Sequence, residues 1–225
     1  MEFEIADFAG ASEFFEGEGS GEWAEIHAVL DKCSLQLQPS DQAGKGHRPI
    51  FDPKATNREL TDAAALHGWK SIPVPKELQM FGSDWDVGKQ TTLVEWQFSN
   101  YPFLWNNIIR TQGVYRSKIQ LSGMSGVEAM IIVTKSGKLP ASNSTLYYEQ
   151  ARAQIKTVMD FLEFTLPIRL VGITLDSLAR SVEAVWNTYA NNRYDRVPRS
   201  KVLRTFDVTW SSRPAKHGNL VASLE

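Results

Sequence analysis

Two short, almost unbroken apolar runs constrain any fold of this chain: Val127–Thr134 (VEAMIIVT) and Leu166–Ile173 (LPIRLVGI). Neither alternates apolar and polar residues, so neither suits a strand with one face in water. Both suit central strands covered on both sides. A third strand is expected over Thr91–Phe98, where alternation puts Leu93, Glu95 and Gln97 on one face and Thr92, Val94, Trp96 and Phe98 on the other. Ile72–Pro75, with two prolines, should be extended. Apolar residues at helical spacing predict helices over Glu22–Leu37, Asn57–Trp69, Tyr101–Lys118, Ser144–Phe161 and Ser177–Tyr189. Glu13–Gly21 reads as a flexible acidic turn region and Pro39–Arg48 as a polar loop. The economical arrangement is α/β (α+β), a sheet core with helices on both sides. A chain of 225 residues suits one domain. Within it we expect an acidic segment and helix over about 1–38, a core over about 70–175, and a helix plus basic segment over about 176–225.

Composition excludes some classes. No apolar run approaches the ~18 residues of a membrane span. The N-terminus, MEFEIADFAG, lacks the basic and apolar regions of a signal peptide. Cys33 is the single cysteine, so no internal disulfide forms, which fits a cytoplasmic protein. The net charge of −2 hides an asymmetry: Met1–Glu25 holds eight acidic residues and no basic one, whereas Arg193–Lys216 holds seven basic residues against two acidic. A basic stretch among aromatics suits a polyanion, although a solvated tail has the same composition.

The chemistry gathers in Ser83–Asn107 (SDWDVGKQTTLVEWQFSNYPFLWNN). If the chain reverses near Gln90 and Thr91, residues whose numbers sum to 181 stand opposite each other, and Asp86 faces Glu95. Their Cβ atoms would then lie roughly 5 Å apart. Two such carboxylates repel unless a cation lies between them or one is protonated. Oxygen-only ligands favour Mg²⁺ over Zn²⁺. Asp84 has the parity of Asp86, so pattern alone leaves both open, and paired carboxylates on a hairpin are commonly just solvated. Glu95 differs in having apolar neighbours. Gln97, two residues on and on the same face, could orient a water or a phosphate.

Other chemistries find little support. The four histidines are scattered without metal-ligand spacing, and the chain has neither a phosphate-binding glycine loop nor a Gly-x-Ser-x-Gly elbow.

These residues, taken in order, resemble the Bgl II-type restriction endonucleases, a branch of the PD-(D/E)xK nuclease superfamily. The matching segments are Ser40-Asp41-Gln42-Ala43, Ile50-Phe51-Asp52-Pro53, Leu93-Val94-Glu95, Gln97–Leu104, Pro140–Ser144, Leu146–Ala151 and Pro167–Gly172. The resemblance implies a restriction-endonuclease-like core, a central mixed β-sheet flanked by helices. It implies a homodimer that cuts double-stranded DNA at a palindromic site with a GATC core, AGATCT, leaving 5′ overhangs. Mg²⁺, with Mn²⁺ as a substitute, would be the cofactor, and a DNA methyltransferase the system partner. Asp86 and Glu95 match the metal carboxylates, with the Trp96 carbonyl a further ligand. Gln97 matches this branch's glutamine in place of the superfamily lysine. Ser99, Asn100, Asn143, Ser144, Tyr194 and Arg196 match contact positions to bases or phosphate. Ser71 stands near the family's further active-site asparagine, a departure from the pattern. Two alternatives share this core: a DNA-binding homologue that does not cut, and a repair or structure-specific nuclease. Retention of both carboxylates and Gln97 argues against the first, and discrete fragments would exclude the second.

Overall fold

The two apolar runs and the third expected strand become adjacent strands at the centre of the molecule. The structure, a computed structural model, describes residues 1–42, 46–142, 145–190, 195 and 197–225. In chain order the elements are β1 (Glu2–Phe8), α1 (Ala11–Glu16), α2 (Ser20–Lys32), β2 (Gln36–Pro39), β3 (Pro49–Phe51), α3 (Pro53–Leu66) and β4 (Lys70–Pro73). A 3₁₀ turn (Lys76–Phe81) leads to β5 (Asp84–Lys89), β6 (Thr92–Trp96), α4 (Pro102–Ser117), β7 (Ala129–Lys135), α5 (Tyr148–Phe161) and β8 (Ile168–Thr174). The chain finishes with β9 (Ser181–Thr188), β10 (Ser200–Trp210) and β11 (Ala222–Leu224).

Among the described residues the strands form two sheets. The first has the order β1-β8-β7-β6-β5-β4; β6, β7 and β8 run parallel, and the flanking strands pair antiparallel. It is therefore mixed, and every residue of β7 and β8 is buried, as an unbroken apolar run requires. One face, with Val94, Ile131 and Val171, packs on Phe15, Ile26, Leu30 and Leu60 of α1, α2 and α3. The other, with Leu93, Met130, Ile132 and Leu170, packs on Leu104 and Ile108 of α4 and Ala151 and Ile155 of α5. Helices thus cover both faces, as expected.

The second sheet, β11-β10-β9-β2-β3, lies against the first face, which receives Ala184, Phe206, Val208, Ala222 and Leu224. It corrects one expectation. Ser177–Tyr189 holds the strand β9, not a helix. Its Val182, Ala184 and Trp186 point together into the core at a period of two, and β10 pairs along it from Ser181 to Thr188. The basic segment also holds a strand, β10, with Phe206 and Val208 buried while Lys201 and Arg204 stay exposed. At the other end, Glu13–Gly21 is not a loose turn. Phe15 is buried, Ala11 fully so, and α1 and α2 fold around them. The helix expected over Glu22–Leu37 is α2, which ends at Lys32, and Leu37 belongs to β2.

The acidic N-terminus is consumed as strand and helix. Asp7 on β1 takes a bidentate pair from Arg169 of β8 at 2.8 Å, and Glu25 of α2 receives Lys89 at 2.7 Å. Asn187 of β9 donates to Gln36 (2.8 Å), which donates to Glu59 of α3 (2.6 Å). This buried chain locks the second sheet to the helix that walls the cleft. Among the described residues no helix is long and apolar enough to cross a membrane.

Candidate active site

Gln90 turns the hairpin between β5 and β6 with a φ of 48°. The pairs below it are Lys89↔Thr92, Gly88↔Leu93 and Val87↔Val94. This is the register expected from the sequence, and Asp86 and Glu95 come next in it. β5 then departs from regular alternation. Lys70 pairs with Gly88 but Ile72 pairs with Trp85, leaving Asp86 and Val87 opposite Ser71. The extra residue is a β-bulge, a device that re-aims a side chain. Past it, Trp85 rather than Asp84 enters the core under α4, its indole N–H donating to the Thr111 hydroxyl at 2.8 Å. Asp84 is exposed and takes the Ser83 hydroxyl at 2.7 Å. Parity left the two aspartates equivalent; here Asp84 is exposed and Asp86 half-buried.

Asp86 Oδ2 accepts from the Trp96 backbone N–H at 2.8 Å, and the Asn57 side chain also bonds to it. Glu95 is 6 % exposed, and its Oε1 accepts from the Arg110 guanidinium. Burial pushes the Glu95 carboxyl well above the usual carboxylate range, and the Asp86 charge adds to the rise while Arg110 opposes it. Burial also raises Asp86, opposed first by the Trp96 N–H and then by Asn57. Two neighbouring carboxylates, one buried and one half-buried, that each resist ionisation are short of positive charge.

Gln97 is buried and held at both ends of its amide. Nε2 donates to Ser99 Oγ (2.9 Å) and the Asn100 carbonyl (3.3 Å), and Oε1 accepts from Asn107 of α4 (2.9 Å). Trp96 packs its indole on α3, donating to Thr61 at 3.1 Å, while its carbonyl accepts from the Phe98 N–H at 3.1 Å. Ser99 and Asn100 are exposed at the strand's end. Asn100 bridges to Thr145, and the Leu146 N–H donates to the Ser99 carbonyl at 3.0 Å. The segment before α5 thus abuts the end of β6.

Asp84, Asp86, Glu95, Trp96, Gln97 and Ser99 line one open cleft of about 1280 Å³, walled opposite by Lys54, Asn57, Arg58 and Thr61 of α3. Ser71 stays outside that lining, exposed on β4 with its hydroxyl donating to the Trp85 carbonyl at 3.2 Å. Asn143, Ser144, Tyr194 and Arg196 lie outside the described residues. Sequence reasoning did not single out Asn57, Asn107 or Arg110. The only signal for the last two is their spacing of three on a helix that directly follows the carboxylate strand.

The donor set fits a hard divalent cation. Glu95 is buried and Asp86 half-buried beside it, all the donors are oxygen, and the cleft is open to solvent. Among the described residues no three His, Cys, Asp or Glu converge; Asp86, Glu95 and the Trp96 carbonyl are the groups that could hold a cation here.

A family model, restriction endonuclease BglII/BglIII, matches residues 3–173. The type II restriction enzyme BglII of Bacillus subtilis is 39% identical over 228 residues, covering 98% of this chain and 99% of that one. A crystal structure of restriction endonuclease BglII complexed with a DNA 16-mer superposes with a TM-score of 0.91 at 37% identity, over 100% of this chain and 99% of that one. Free BglII gives a TM-score of 0.71 at 33% identity, over 99% of this chain and 100% of that one. The chain belongs to the BglII/BglIII family, and is a type II restriction endonuclease acting on DNA.

Proposed function

We propose that this protein hydrolyses double-stranded DNA in a Mg²⁺-dependent reaction at AGATCT, a palindrome with a GATC core, leaving 5′ overhangs, and that it works as a homodimer. The observation carrying this reading is the convergence of Asp86, Glu95 and Gln97 on one cleft, with Ser99 and Asn100 at the end of the same strand. The cation, held by Asp86, Glu95 and the Trp96 carbonyl, would polarise the scissile phosphate and acidify the attacking water. The chain's own residues then do the positioning. The Trp96 N–H and Asn57 fix Asp86, and Arg110 fixes one oxygen of Glu95, whose carboxyl also hydrogen-bonds to Asp86. Gln97, clamped by Asn107, offers a neutral amide that orients a water without taking its proton. The proton therefore leaves to phosphate or solvent.

Cleft walls bearing Lys54 and Arg58 suit a duplex backbone, as does the likeness to a relative crystallised with DNA. A palindrome asks for two-fold protein symmetry, and exposed Ile109 of α4 with Phe161 and Leu162 at the end of α5 offer apolar surface for a second copy. Asn143, Ser144, Tyr194 and Arg196 would join Ser99 and Asn100 in reading the site, with a methyltransferase protecting it in the host. The test is a digest of DNA with known AGATCT sites, with the fragment ends sequenced. Ends at other sequences overturn the assigned site, and DNA left intact overturns the reaction.

A further inference from the structure

The side chain that grips Glu95 is itself held by several further partners. Arg110 rises from α4 and is 2 % exposed. Its Nη2 donates to the Asp84 carbonyl at 2.8 Å and to Glu95, its Nη1 to the Phe81 carbonyl at 3.4 Å, and its guanidinium stacks 5.0 Å from the Trp85 ring. Gly82 leaves it room, because a Cβ there would collide with Nη1. The backbone before β5 is thus built around a buried cation aimed at one of two facing carboxylates.

We propose that Arg110 is a positioning residue that acts as the resident counter-ion of the Asp86–Glu95 pair and opposes loading of the divalent cation. Fully ionised, the pair carries two negative charges. With a divalent cation alone the site would be neutral, whereas with Arg110 in place the loaded site keeps one surplus positive charge. That surplus disfavours metal binding by the free protein, and the single negative charge of a scissile phosphate relieves it. Arg110 therefore makes cation and DNA phosphate bind with positive coupling, a reciprocal effect. The proposal rests on the metal reading of this carboxylate pair.

The measurement is Mn²⁺ affinity of the protein without DNA, read from the free-ion signal in electron paramagnetic resonance. Arg110→Gln keeps a donor for the neighbouring carbonyls but removes the charge; Arg110→Met is a second uncharged variant should the first not fold; Arg110→Lys restores the charge. We expect the uncharged variant to bind Mn²⁺ roughly fivefold or more tightly than wild type, the lower range of couplings between sites, with the Lys variant close to wild type. An uncharged variant that binds Mn²⁺ no more tightly than wild type overturns the proposal and leaves the metal reading intact. Equal binding by wild type and Glu95→Gln overturns the metal reading itself, and the proposal with it.

Discussion

Glu95 shows what a buried carboxylate costs its own fold. Its carboxyl is buried beside Asp86, with one oxygen given to Arg110. Because its pKa is raised on folding, the contribution favouring the fold is present below the unfolded value and is lost as pH rises through the folded one. Glu95→Gln has no such loss. Its metal-free form should therefore melt higher than wild type at about pH 7.5, with the gap closing toward about pH 4, where free glutamate titrates. The same variant should cut DNA on the order of a hundredfold or more slowly, the scale of one lost preorganised electrostatic contact. Normal cutting would remove Glu95 from the mechanism, and unchanged melting would remove the buried charge. Asn107 is tested separately. Asn107→Leu frees one end of Gln97 and should slow cleavage roughly ten- to a hundredfold, the usual cost of losing a supporting residue. Specific DNA binding without metal should be unchanged; weakened binding would show that Asn107 serves recognition.

At the scale of elements, the parallel strands β6, β7 and β8 were legible because an apolar run covered on both faces has few alternatives. The β5–β6 register was legible because one turn fixes it. The bulge in β5 was not, because nothing in SDWDVGK distinguishes an extra residue from a regular strand. β9 was missed for a physical reason: SVEAVWNT satisfies a short helical pattern, and only pairing with a long neighbour decides for strand. Arg110 and Asn107 were hidden because their partners are ten or more residues distant in sequence. β7 ends on a feature of the same kind. Lys135 is buried, donates to the Leu146 carbonyl at 2.9 Å, and lies 4.8 Å from the Tyr147 ring. Burial brings its pKa down to about 7, against the pull of Glu149. From there to the ordinary 10.5 the unfolded chain holds more protons, so stability gains with pH across that window. Lys135→Met should remove this gain, measured as melting temperature at pH 7 and about pH 9.5. A variant with the same pH slope as wild type would show that Lys135 is not buried as described.

At the scale of the molecule, the second sheet turns a basic segment into a scaffold beside the nuclease core, joined to it by one apolar cluster. The free protein should sediment at about twice its 25.3 kDa mass, as a two-fold site requires. Phe161→Asp should weaken that dimer, and with it cutting of both strands, while leaving the monomer folded. A monomer at working concentration would contradict the proposed symmetry. The most direct measurement is a digest of plasmid DNA carrying AGATCT sites by the purified protein, with Mg²⁺ and with chelator. We expect discrete fragments with Mg²⁺ only, ending in 5′ overhangs at those sites, and none from Asp86→Ala. Intact plasmid with Mg²⁺, or discrete cutting that survives Asp86→Ala, would contradict the proposed reaction.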